Sequence, residues 1–476
     1  MAMLLHIIRK ELLDQLMSLR FAIACVVCLL VFLLSSIVLT RDYREATSTY
    51  NMNRVMHRNA LQQQTEVWSL FQGVMVDRPL NVMNILVRGL TPELTESIKV
   101  QAGNRLDFPE SFEQNPVIAL FPAVDFVFIV GIIMSLLALA FSYDSMSGER
   151  ESGVLKLLMS YSVARDRVLL GKWIGGYLAL TAPFVTSFAA GLLVVVMFPE
   201  VSATADNALA IFALLCLALL YLAVIYSLGM FVSARTRVPS TSITVLLLIW
   251  VAFILAIPNM APYMSAQLLP VPSRESVDRE KAGIRQEMAA KQQRIIREEQ
   301  ERTGREDVWQ DEDFQARMRA LGEEMQQIEQ KVEEGYLTKI QDQTRWSGIV
   351  ARISPLTSFN LAAFDLAAAG IAQEARFVDA LKAYSQTWQT YSEEKQKAWR
   401  EYMERQRSAD GSVSFNSEEM EQFRRFDLTD YPRFEFSHMP LLDRLSEIYL
   451  DILLLAVWNI LFFMLAYLSF LRYDIQ

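Results

Sequence analysis

Histidine and cysteine are scarce in this 476-residue chain, which carries three of each. His6, His57 and His438 lie far apart, none with a ligand-spaced neighbour, so no metal cluster is readable. Cys25, Cys28 and Cys216 all fall inside apolar runs, which leaves no disulfide framework. Cys25 and Cys28 form a CxxC, but in apolar surroundings a thiol behaves as an inert small hydrophobe. A GxxxxGK[ST] phosphate loop is missing, because Gly171-Lys172 is followed by Trp173. No Ser-His-Asp pattern stands in for it. The sequence therefore describes no enzyme, and no cofactor or metal site within the chain. A net charge of -9 with interleaved signs offers no broad basic surface for nucleic acid.

What the chain has in abundance is apolar sequence, 52% of its residues, segregated from the charged ones. Runs near the ~20 residues needed to cross a bilayer recur at 21–39, 117–141, 173–198, 208–232, 240–258 and 445–471. The first is read as retained, since no small-residue cleavage site follows it before Arg41-Asp42-Tyr43-Arg44. Lysine and arginine set the orientation. Arg9, Lys10 and Arg20 precede the first span, and Arg150, Lys156, Arg165, Arg167 and Lys172 lie between the second and third. Arg235 and Arg237 separate the fourth and fifth, and Arg472 follows the sixth. The loop Pro199–Asn207 has acidic residues and no basic ones. Both termini are thus expected in the cytoplasm.

That topology puts 40–116 and 259–444 outside. From Ser273 to about Trp346 the second stretch is written in strong helix formers, broken at Thr303-Gly304, which predicts a helical hairpin. A first arm ending at Arg302 would be on the order of 45 Å long. Ile284, Met288, Ile295, Met318, Leu321, Met325, Ile328 and Val332 form a thin apolar stripe, consistent with a coiled-coil-like pair or a solvated, ion-paired helix. A further helix is expected over Gln373–Gln406, where Phe377, Leu381, Tyr384, Trp388 and Tyr391 recur at three- and four-residue spacing and face a packing partner. The expected fold is all-α: a six-helix transmembrane bundle with a large helical extracytoplasmic domain.

Two segments point to mechanism. Residues 1–20 place Leu4, Leu5, Ile8, Leu12, Leu16 and Leu19 on one helical face and Arg9, Lys10, Glu11 and Asp14 on the other, an interfacial amphipathic helix. The loop 142–172 reads Ser147-Gly148-Glu149-Arg150-Glu151-Ser152-Gly153-Val154-Leu155-Lys156-Leu157-Leu158-Met159-Ser160, then Ala164-Arg165 and Gly171-Lys172. A short helix here suits a cleft on a partner: Leu155, Leu157, Leu158 and Met159 supply apolar surface, and Glu149, Arg150, Glu151 and Arg165 supply charge-assisted contacts. The bland alternative is an amphipathic turn on the membrane surface.

This loop resembles that of ABC-2-type exporter permeases. There an acidic-basic cluster and a glycine precede a short apolar helix, an arginine, and a glycine-lysine entering the next span. Val154 stands where threonine is common, and Ser162-Val163-Ala164 where proline and serine often precede the arginine. Ser354-Pro355-Leu356, Tyr431-Pro432-Arg433-Phe434 and Phe470-Leu471-Arg472-Tyr473-Asp474 are similar to a bacterial subgroup with a large insertion between the fifth and sixth spans. The resemblance implies the permease of a bacterial inner-membrane exporter, with ATP and Mg on two copies of a partner ATPase, and no motif picks out its cargo. It also implies a second six-span bundle, a copy or a paralogue, and it assigns ATPase coupling to Glu149, Arg150, Glu151, Gly153, Leu155, Leu158, Met159 and Arg165.

Asp125, Asp451 and Asn459 are polar residues within spans and so candidates for a substrate path, although both aspartates lie toward the outer ends, where water can hydrate them. An ion-gradient transporter would show inverted repeats and midplane charges, which this sequence lacks. The alternative from another class is a membrane-anchored scaffold whose long outer helices recruit an extracytoplasmic protein.

Overall fold

The computed structural model describes residues 2–63, 73–101, 105–107, 124–160, 164–198, 204–304, 312–405 and 431–472. Residues 117–123 of the expected second span, Ser162, Val163, Tyr473 and Asp474 lie outside this set. Two compact units are present, one formed by 1–250 with 358–476 and the other by 251–357.

The larger unit opens with α1 (Ala2–Leu16) and α2 (Leu19–Gln63). Helix α2 holds the expected first span and runs on without a break for 45 residues. At 1.5 Å per residue it is about 67 Å long, roughly twice the hydrocarbon thickness of a bilayer. Its far end meets a small antiparallel sheet of β1 (Val74–Asp77), β2 (Ser97–Gln101) and β3 (Arg105–Asp107), with Val74 opposite Val100 and Val100 opposite Leu106. The sheet is an addition to the all-helical expectation. Val74, Val76, Ile98 and Val100 alternate inward, and against them pack Leu61 of α2 and Phe377, Leu381, Tyr384, Trp388 and Tyr391.

Those five aromatic and leucine positions belong to a helix of 35 residues, Ile371–Arg405, numbered α13 below, so the partner of the predicted stripe is the sheet. Arg78 bonds both carboxylate oxygens of Glu374, at 2.5 and 3.0 Å, and lies over the Phe377 ring. Arg88 of the same region pairs with Asp42 of α2.

The bundle continues with α3, formed by Phe126–Phe128, a π-helical stretch Ile129–Met134, and Ser135–Ser142. Two short helices follow, α4 (Ser147–Glu151) and α5 (Val154–Ser160). Then come α6 (Arg165–Val196), α7 (Ala205–Arg235) and α8 (Pro239–Trp250). Widening to π geometry displaces backbone carbonyls from the α ladder. One of them, Gly131 O, accepts from the Tyr221 hydroxyl of α7 at 3.0 Å. Phe32, Phe126, Phe184 and Phe188 pack together between α2, α3 and α6 with ring centroids 5.1–6.5 Å apart.

In the smaller unit α9 (Ile257–Leu268) precedes α10 (Arg274–Thr303) and α11 (Glu312–Ala351). Helix α10 ends where the sequence breaks: Gly304 takes φ +64°, a left-handed cap. The eight stripe residues are buried or half-buried. Charges flank them, with Arg274 on Glu333 at 2.7 Å, Arg285 on Glu329 at 2.6 Å, Lys291 on Glu324 at 2.7 Å and Arg317 on Glu299 at 2.8 Å.

Helix α12 (Pro355–Leu366) leads to α13 through Ala367–Gly370, where Ala368 takes φ +49° and Asn81 donates to the Ala367 carbonyl at 2.6 Å. The chain closes with α14 (Leu441–Glu447) and α15 (Tyr449–Leu471). Among the described residues, seven helical stretches are long and apolar enough to cross a membrane: 19–61, 126–151, 165–196, 205–235, 239–268, 355–401 and 449–471.

Candidate functional site

The loop from Ser142 to Arg165 is fastened to four other elements. Ser233 near the end of α7 is fully buried, and its hydroxyl accepts from the Met146 and Ser147 amides at 3.0 and 3.1 Å, satisfying donors at the start of α4. Arg150 returns the favour at the other helix. Its guanidinium donates to the Thr236 and Ala234 carbonyls, at 2.8 and 3.2 Å, where α7 runs out of intrahelical donors. Helices α4 and α7 thus cap each other.

Glu149 accepts from Lys172 at 2.8 Å, and the same ammonium donates to Glu11 of α1 at 2.9 Å. Lys172 is only 3% exposed. A lysine in that position needs partners, because an unpaired buried ammonium is strongly disfavoured. Arg165 donates to the Leu471 carbonyl at 2.6 Å, capping the end of α15. Arg20, at the start of α2, pairs with Asp144 at 2.8 Å and donates to the Tyr143 hydroxyl at 2.9 Å.

Helix α5 follows a turn at Gly153, whose φ of +76° suits glycine. Leu155 is fully buried among Met146, Val168, Leu169, Met230, Ala234 and Phe470, with Leu158 and Met159 half-buried against the same group. The outward face is Val154, Lys156 and Leu157, with Leu157 63% exposed, and Glu151 is exposed just before it. Of the residues singled out in the sequence, Glu149, Arg150, Arg165 and Leu155 therefore make internal contacts, and Glu151 and Gly153 face outward. The sequence reading sets Glu11 on the charged face of an interfacial helix and takes Lys172 as an orienting cation at the end of the loop, so it pairs neither, and it passes over Ser233.

The three polar span residues are held differently. Asp125 caps α3, accepting from the Phe128 amide at 2.9 Å and the Arg88 amide at 3.1 Å. Asn459 of α15 accepts from the Ser227 hydroxyl at 2.7 Å, which accepts from the Trp173 indole at 2.9 Å, a polar chain across α6, α7 and α15. Asp451 is buried in the first turn of α15. Farther along, Arg444 is buried and donates to Met439 O, Leu366 O and Asp206, drawing α7, α12 and α14 together.

Apolar helices of this length, joined by an anchored loop with an exposed apolar tip, define a multi-pass membrane protein. The chain belongs to the ABC-2 family of transporter proteins, whose family model matches residues 5–475. It is similar to the probable ABC transporter permease protein NosY of Pseudomonas aeruginosa, 40% identical over 72 residues, which are 15% of this chain and 26% of that one. The protein of the same name from Stutzerimonas stutzeri is 37% identical over 68 residues, 14% of this chain and 25% of that one. The chain thus matches about a quarter of the length of these curated relatives.

Proposed function

We propose that this chain is the membrane-spanning permease subunit of an ATP-binding-cassette exporter, and that the α4–α5 loop receives the force of a partner ATPase. The carrying observation is the loop's construction: contacts to α2, α6, α7 and α15 hold it to the bundle while Leu157 points outward. A surface turn without a partner has no use for so many anchors. Membership of the ABC-2 family favours this reading over a scaffold.

Six helices cross the membrane in this proposal. The stretch 355–401 is excluded because α12 has only 12 residues, about 18 Å, and α13 lays its apolar face on the sheet. Both termini then lie in the cytoplasm of a bacterium, and the sheet, α13 and the α10–α11 hairpin lie outside its inner membrane. ATP and Mg bind on two ATPase copies, and a second six-span bundle, a copy or a paralogue, completes the path. Helix α2 gives the motion a route outward, since it joins Arg20, paired with the loop, to Leu61, packed under the sheet. Movement of the outer domain accompanies or replaces cargo passage, and that domain is free to engage an extracytoplasmic protein.

A photo-cross-linking residue at Leu157 tests the docking. In membranes of the native cell it should capture an ATP-binding-cassette ATPase, whereas the same probe at Met52 of α2 should not. Equal capture at both positions, or none at Leu157, removes the loop from the mechanism. For orientation, a cysteine-free chain carrying Gln293→Cys should react with an impermeant thiol reagent in intact spheroplasts, and Ser152→Cys only after lysis. The reverse pattern inverts the topology.

A further inference from the structure

We infer that Lys172 is a positioning residue that hands movement of the loop to α1, and through α1 to the long helix α2. The inference rests on the coupling role proposed for the loop. Lys172 joins three elements at one atom: its ammonium, on α6, binds Glu11 of α1 at 2.9 Å and Glu149 of α4 at 2.8 Å. Replacing a buried ion pair by apolar residues is often neutral or stabilising, so stability alone is a weak reason for this one. What a charged triad provides is direction and register.

Helix α1 has no slack at this point. Gly171 and Gly175 flank Lys172 at a spacing of four, the arrangement that lets helix backbones approach closely. A Cβ on Gly171 would come within 2.7 Å of Ile7, and one on Gly175 within 2.8 Å of the Glu11 Cβ and 2.9 Å of the Ile8 carbonyl. Helix α1 is therefore seated in α6 at backbone contact, with Glu11 buried at the join rather than among the surface charges of an interfacial helix. Two residues, Met17 and Ser18, connect it to α2, and the Ser18 hydroxyl accepts from the Phe21 amide at 3.2 Å. A displacement that carries Glu149 thus pulls on Lys172 and Glu11 together, and α2 follows.

The attachment also has room to change partners. Among the described residues, the second Glu149 oxygen and the Tyr226 hydroxyl are buried without a hydrogen-bond partner. Tyr226 is on α7 and its hydroxyl abuts Gly176 of α6, one turn beyond Lys172. Buried polar groups left unpaired disfavour the arrangement that leaves them so, and a shift of the loop that pairs either one is favoured.

The experiment uses the full chain in complex with its ATPase, in lipid nanodiscs, with spin labels on a background free of native cysteines. Labels at Ser152 in the loop, Lys10 in α1 and Leu209 in α7 report two distances to α7, from the loop and from α1, without nucleotide and with ATP trapped by vanadate. In the parent chain both distances should change. In Lys172→Met the loop should still move and the α1 displacement should be lost. The triple variant Glu11→Lys, Lys172→Glu and Glu149→Lys, which reverses every sign and keeps both pairs of opposite charge, should restore it. Glu11→Gln, which leaves the Lys172–Glu149 pair intact, should lose the α1 displacement even if Lys172→Met fails to assemble. An α1 displacement that survives in both Lys172→Met and Glu11→Gln overturns the inference. So does a parent chain in which the loop moves and α1 does not. A parent chain whose loop stays still overturns the coupling role as well.

Discussion

Replacing Arg150 with alanine should loosen two helix ends that are far apart in sequence. The guanidinium makes two hydrogen bonds to backbone carbonyls of α7, and a hydrogen bond to a charged group contributes about 1.5–3 kcal/mol. Arg150 is only half-buried, so water replaces part of that when the side chain goes, and about 2–3 kcal/mol in total is a fair expectation. At 1.4 kcal/mol per decade, local opening should become roughly 30- to 150-fold easier. Hydrogen exchange measured by mass spectrometry on the protein in nanodiscs reads this directly. Peptides covering 144–160 and 230–238 should both lose protection, while those from the middle of α6 and α7 should not. Lysine at 150 should recover part of the effect, since one ammonium cannot reproduce the planar fork of arginine. Unchanged protection in either peptide would refute the mutual capping of α4 and α7.

Elsewhere, Trp388→Ala should cost about 3–5 kcal/mol by opening a large cavity between α13 and the sheet, seen as lost exchange protection in 74–101 and 377–391 with the membrane helices intact. In the hairpin, Leu321→Ala should destabilise α10–α11 by about 2–5 kcal/mol, whereas Glu329→Ala, which breaks a largely solvated pair with Arg285, should cost under about 1 kcal/mol. Thermal melts followed by exchange of 274–351 distinguish the two. His438 gives a pH dependence: burial, aided by the Arg444 cation and opposed by a bond to the Leu80 backbone, holds its pKa below the ordinary value near 6.5. Its contribution is complete above that value and is lost as pH falls toward the depressed one, because the unfolded segment then binds the extra proton. Protection of 431–447 should drop between pH 7 and 5, and His438→Gln, which cannot titrate, should lessen the drop.

Much of the architecture is legible because single residues mark it. Gly304 ends α10 because only glycine takes a left-handed cap at little cost, and the aromatic stripe of α13 declares a buried face by its spacing. The partner of that face was not legible. Strands of four, five and three residues are too short to show alternation against the noise of a polar segment. At the loop, sequence named the right neighbourhood and assigned its charges outward. A charge declares that it needs a partner, not where the partner is, and Glu149, Arg150 and Arg165 find theirs in Lys172, the end of α7 and the end of α15. Helix α1 has the pattern of a helix lying on lipid, yet Glu11 is buried, because Gly171 and Gly175 open a groove that no amphipathic pattern of α1 itself can reveal.

The account is tested most directly by structures of the complex with its ATPase, without nucleotide and with ATP trapped. They should show α5 seated in a cleft of the ATPase with Leu157 buried there, and α2 displaced as one rod from Arg20 to Leu61 between the two states. An ATPase that docks elsewhere with Leu157 exposed, or a loop that moves while α2 stays in place, would contradict it.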